Sequence, residues 1–148
     1  MARSSNPPHP WLIHFFQRHP ADDSNRSVPA HEFLESVSDA VAAEILAVLA
    51  AVAEAPPPAF SGGGKWEAMK GEMSGFYEVR VAGNDARGHR MNHRMFCKLV
   101  RDADDLGGSS IVCVGGLSKP LRNAARPADY RMVKRLGAEF ERRRTVME

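Results

Sequence analysis

Apolar and polar positions follow two different periods along this chain. Between Val28 and Ala55, Phe33, Val37, Val41, Ile45, Val48, Leu49 and Val52 recur at steps of three and four. That is the stripe one face of a helix turns toward a core. Ser36-Val37-Ser38-Asp39 interrupts it, and Ser38 is suited to cap a second helix with Asp39 in its first turn. A helical hairpin or kinked pair is therefore predicted over roughly 29–36 and 39–55, ended by Pro56-Pro57-Pro58, because proline lacks the donor and clashes with the turn before it. Elsewhere the period is two. Trp11 to Phe16 is aromatic and β-branched and reads as a strand. In Gly75–Val81 the alternation sets Tyr77, Val79 and Val81 against Phe76, Glu78 and Arg80. In Arg94–Leu99 it sets Met95, Cys97 and Leu99 against Arg94, Phe96 and Lys98. Ile111–Leu117 is apolar on both faces, as a central strand is. The stretches 82–92 and 101–110 are polar and read as a long hairpin loop and a turn.

A last helix is expected from Pro127, a good first helical residue, through about Arg143, with Met132, Val133, Leu136 and Phe140 as its stripe. Arg142-Arg143-Arg144 would sit at its negative end, which accounts for them without any partner. The order is strand, helix pair, three meander strands, helix. It predicts one α+β domain over 11–148, an antiparallel sheet of about four strands backed by the helices, after a loose lead-in at 1–10.

At 148 residues the chain can bury one sizeable core. The alanine-rich stretch Val37 to Ala55 is broken by Asp39, Glu44 and Glu54, so it is not read as membrane-spanning, and no secretory leader is visible. Cys97 and Cys113 fall inside strands, outside any metal-ligand spacing, and read as buried small side chains in a reducing cytoplasm. Charge is uneven. Residues 1–64 hold 3 Lys and Arg against 7 Asp and Glu (net −4), while 65–148 hold 17 against 11 (net +6). A basic half suits an anionic partner such as RNA, although mixed charge on a solvated surface gives the same composition.

No GxSxG, HExxH or GxGxxG is present, and paired glycosidase acids cannot be picked out. Gly62-Gly63-Gly64-Lys65 lacks the Walker spacing and reads as a flexible connection. The six histidines form no cluster with acids, so neither a metal nor a cofactor is expected. What stands out is cations on strands. Arg80 and Arg94, with Lys98, would share a face, where guanidinium groups can hold phosphate bidentately. Pairing with Glu78 or another sheet carboxylate is the competing account.

The run Lys65-Trp66-Glu67-Ala68-Met69-Lys70-Gly71 followed by Gly75-Phe76-Tyr77-Glu78-Val79-Arg80-Val81 resembles the HigB-like, phage-derived branch of the RelE/ParE toxin superfamily, which typically reads W-x-x-L-K-G-x-L-x-G-L-Y-E-L-R. His93-Arg94-Met95-Phe96 is similar to that branch's Y-R-V-F, with His for Tyr, and Val114-Gly115-Gly116-Leu117-Ser118-Lys119-Pro120 to its L-H-G-F-x-K-K, with Pro for the second Lys. The likeness spans about residues 28–141.

It implies a RelE-like fold and the toxin of a bacterial toxin–antitoxin pair. Such a toxin is a cytoplasmic endoribonuclease that cleaves messenger RNA, often on the ribosome, and is silenced by a neighbouring helix-turn-helix antitoxin. Metal-independent cleavage needs a base for the 2′-hydroxyl, cations for the pentacovalent phosphate and an acid for the leaving 5′ oxygen. Arg80 and Arg94 are the expected phosphate cations and Lys119 a further cation or proton donor. Lys70 is expected on the RNA backbone beside Lys98. His93 is the candidate base or acid, against a plain surface histidine, and Tyr130 either stacks on a base or faces the core. Two other functions share these features: a ParE-like toxin that poisons gyrase, and a non-enzymatic RNA- or protein-binding module.

Overall fold

Two helices pack on one face of a sheet and a third on the other. The structure is a computed structural model and describes residues 10–56 and 64–148. Most of the expected lead-in 1–10 and of the proline–glycine loop lies outside the described residues. The elements run β1 (Leu12–Phe15), α1 (Pro29–Ser36), α2 (Asp39–Glu54), β2 (Trp66–Ala68), β3 (Tyr77–Asn84), β4 (Arg90–Val100), β5 (Ser110–Pro120) and α3 (Pro127–Arg142). The expected α+β class holds, as do the helix bounds. Val37 turns extended between α1 and α2, and the Ser38 side chain accepts from the Val41 N–H at 3.2 Å, so α2 starts where its cap predicts.

The sheet has five strands in the order β1-β5-β4-β3-β2, not about four. The extra one, β2, is three residues long and buries Trp66, which stacks on Tyr77 at 5.2 Å between ring centroids. So short a strand has no alternation to read. Nor is the sheet wholly antiparallel: β1 lies parallel to β5, Leu12 opposite Ser110 and Phe15 opposite Cys113. β3 and β4 also run further than expected. Residues 82–84 and 90–92 pair as a ribbon up to a tight turn, where the Asp85 carboxylate accepts from the N–H groups of Arg87 and His89 at 2.9 Å. Backbone pairing carries this ribbon beyond the core, so its side chains have no reason to be apolar.

The predicted alternation is what separates the two cores. Val79, Val81, Met95, Cys97, Ile111 and Cys113 face α1 and α2. Phe96, Val112 and Val114 face α3, whose Val133, Leu136 and Phe140 cover them. β5 is thus apolar on both faces because both are covered. Gly116 lets α1 approach: a Cβ there would lie 2.3 Å from the Phe33 ring. Met132, expected in the α3 stripe, is 51% exposed instead, since the buried face runs through Val133, Leu136, Gly137 and Phe140. Cys97 and Cys113 are fully buried free thiols with sulfurs 3.9 Å apart, and burial pushes the Cys97 thiol up. No helix among the described residues is long and apolar enough to cross a membrane.

Candidate active site

Strand register brings four charged side chains together. Arg80 lies opposite Arg94, and Glu67 opposite Glu78, on the α3 face of β2, β3 and β4. Side chains directly opposed across a ladder share a face and touch. The head of α3 stops short of covering them. A cleft of about 430 Å³ opens there, lined also by Lys70, Met73 and Tyr130.

Glu78 is the pivot. It is 3% exposed, with Oε1 3.3 Å from Arg80 Nε and Oε2 4.0 Å from Arg94 Nη1. Burial raises its pKa above the ordinary 4.5, against the pull of Arg94 and Arg80. Arg80, 35% exposed, also holds Glu67 at 2.8 Å. Arg94 donates to the Tyr130 hydroxyl at 3.0 Å. With the Asn92 amide turned so that its oxygen faces Arg94, it accepts from Nε and Nη2 at 3.3 Å. The Tyr130 ring meanwhile stands edge-on to Phe96, 5.9 Å between centroids. It packs on the core, the second of its two expected placements, and keeps its hydroxyl in the cleft.

Arg80 and Arg94 are therefore brought together, but not as free cations on an open face. α3 covers much of that face, and the competing account of carboxylate pairing holds for both. Lys70 lines the cleft and has no ion-pair partner among the described residues. The other three candidates stand elsewhere. Lys119 shares the face of Arg94, yet it is held by Asp129 at 2.8 Å at the head of α3. That hydrogen bond is the first cause holding the Asp129 carboxyl below its usual range. Lys98 lies under α3, 4.1 Å above the Phe76 ring and 3.6 Å from Glu141, so its charge is already engaged away from the cleft.

His93 is the clearest correction. It follows Asn92 and precedes Arg94 on one strand, and neighbours on a strand point to opposite faces. It is 4% exposed on the α2 side, its Nδ1 2.7 Å from Ser118 Oγ and its Nε2 buried without a partner among the described residues. Burial lowers its pKa below 6.5. With the sheet between them, His93 cannot exchange a proton at a phosphate held by Arg80 and Arg94.

The sequence reading missed Glu78 as a proton-carrying group and Glu67 as part of the cluster. Glu78 was legible in part: a lone carboxylate two residues from Arg80, on the same strand face, inside an otherwise apolar run. No group of three or more His, Cys, Asp or Glu comes together to hold a metal ion among the described residues. Comparison with family models, curated proteins and solved structures finds no match to this chain.

Proposed function

We propose that the cleft cleaves RNA without a metal, and that the chain is the toxin of a toxin–antitoxin pair. The observation that supports this reading most is Glu78, nearly buried between two guanidinium groups at the base of an open cleft, where burial raises its pKa above the ordinary 4.5. In the proposed reaction Glu78 takes the proton of the 2′-hydroxyl, whose oxygen attacks phosphorus. The bond to the 5′ oxygen breaks, leaving a 2′,3′-cyclic phosphate and a 5′-hydroxyl. Arg80 and Arg94 hold the phosphate oxygens. Tyr130, already accepting from Arg94, gives its hydroxyl proton to the leaving oxygen. Both groups then re-equilibrate with water. Arg80 must loosen its hold on Glu67 to do this. Glu67 is 51% exposed, and an ion pair so open to water is worth at most about 1 kcal/mol, so a phosphate can displace it.

A second reading has its own support. Since both arginines already carry carboxylates, the cluster also fits a structural ion-pair network in a non-enzymatic binding module. Two variants separate the readings. If the cluster is catalytic, Arg80→Ala and Glu78→Gln lower RNA cleavage by about a hundredfold or more, abolish growth arrest on expression, and leave the melting curve and antitoxin binding near those of the parent. If it is structural, the melt falls and any growth arrest survives. A folded, fully toxic Arg80→Ala protein overturns the proposal.

A further inference from the structure

Beyond the cleft, the β3–β4 ribbon runs on past α3, and its exposed end carries cations of its own. Several cations on the rest of the surface are held by carboxylates: Lys134 by Glu72, Arg142 and Arg143 by Asp22, Arg144 by Asp105. At the ribbon tip and in the connection from β5 to α3, Arg87, Arg90 and Arg122 are exposed and have no ion-pair partner among the described residues. Asp85, the one carboxylate in the groove wall there, is committed to the turn N–H groups and to His89 at 3.3 Å.

Arg90 and Arg122 border a groove of about 860 Å³ at the end of the ribbon, whose apolar wall takes Leu121 from the Arg94 face and Met91 and Pro120 from the opposite one. Leu121 is 50% exposed. Register ties groove to cleft. Arg90, Asn92 and Arg94 alternate onto one face of β4, and Leu117, Lys119 and Leu121 lie opposite them on β5 and its extension. Four residues of strand separate Arg90 from Arg94, about 13 Å. One bound strand can therefore lie along β4 and touch both. Guanidinium planes and an imidazole beside apolar side chains are the surface on which unpaired bases stack while the backbone meets positive charge.

We propose that this groove is a second subsite for the single-stranded RNA whose phosphate sits between Arg80 and Arg94. It holds the flanking nucleotides and so gives the cleft a preference for longer, unpaired RNA. The inference rests on the cleavage reading above, and the test keeps the two apart.

Full-length protein is titrated with non-cleavable 2′-O-methyl RNA of about 4 and about 12 nucleotides, followed by fluorescence anisotropy across a salt series. Cleavage of the matching unmodified RNAs is measured in parallel. For the parent, the long RNA is expected to bind at least tenfold tighter. In the double variant Arg90→Ala/Arg122→Ala that advantage disappears. The salt slope drops by roughly 1.4, about 0.7 for each lost contact to a single strand. Binding and cleavage of the short RNA stay at the parent level. Equal binding of long RNA by parent and variant overturns the subsite and leaves the cleft standing. The same holds if the variant loses only an acidic protein partner. A parent that neither binds nor cleaves RNA overturns both.

Discussion

Glu78 and His93 show how one ribbon gives two buried ionisable groups opposite consequences. Each is pushed toward its neutral form by burial. For Glu78 the folded pKa lies above 4.5, so just above that pH the native chain holds a proton that the unfolded one has lost, and stability falls as pH rises through that window. For His93 the folded pKa lies below 6.5, so below that pH the unfolded chain takes up a proton that the native one resists, and stability falls as pH falls. Urea unfolding of the parent between pH 7 and pH 5 is expected to show this loss on acidification. A His93→Gln variant should give a visibly flatter curve, and matching curves would mean that His93 titrates as it does in the unfolded chain. At this scale the site was legible only as far as alternation reaches. Arg80, Arg94 and Glu78 sit two residues or one ladder rung apart, and period two puts them on one face. His93 was a candidate because an ordinary imidazole titrates near neutrality, but it adjoins Arg94 in the chain, and adjacency on a strand is what keeps the two on opposite faces. The partners of Lys119 and Lys98 sit on α3, and nothing in the strand pattern says which carboxylate a distant helix will bring.

At the scale of elements, α3 decides both core and cleft, because its first turn carries Tyr130 and its middle covers Phe96 and Phe76. The helices themselves were legible to within a residue or two, since a 3.6-residue stripe, a capping Ser38 and a leading Pro127 are local signals. Met132 was misjudged because it lies at the border of the stripe, where one position of rotation separates core from solvent. Gly137 is the informative residue here. Alanine there would gain about 1 kcal/mol of helix propensity. Its Cβ, however, would fall 2.5 and 2.9 Å from two atoms of the Phe76 ring, and overpacking of that kind costs about 1–3 kcal/mol. The clash wins, so Gly137→Ala is expected to destabilise the fold by up to about 2 kcal/mol. It should also lift α3 and carry Tyr130 from Arg94. Thermal melts and RNA cleavage measure the two effects. A variant more stable than the parent would show that α3 packs further from the sheet than described.

For the whole molecule, the least legible features were those set by distant parts of the chain: which face α3 takes, and the parallel pairing of β1 with β5. A helix stripe says that a helix packs, not on which side of a sheet. A four-residue strand at the start of the chain has nothing local to state its partner. The outer edge of β1 is settled by the other terminus. Phe16 bridges Val146, Gln17 N–H donates to the Thr145 carbonyl at 3.0 Å, and Met147 N–H to the Phe15 carbonyl at 2.8 Å. The Thr145 hydroxyl donates to the Gln17 carbonyl, and Arg18 grips the buried Glu139 through both carboxylate oxygens at 2.8 and 2.9 Å. The tail thus covers the far end of a strand edge that would otherwise be open to another chain. Deleting Thr145 to Glu148 removes the tail's bonds, each worth about 0.5–1.5 kcal/mol, together with the packing of Val146. A loss of about 2–4 kcal/mol is expected in urea unfolding, with concentration-dependent association in sedimentation as the β1 edge is bared. Because β1 and β2 are the opposite edges of the sheet, the protein that remains folded and monomeric should cleave RNA at the parent rate. An unchanged unfolding midpoint would mean the tail adds no stability. A cleavage defect in the folded monomer would mean that the two edges are coupled through β5, β4 and β3, and that the cleft depends on more of the sheet than the strands that line it.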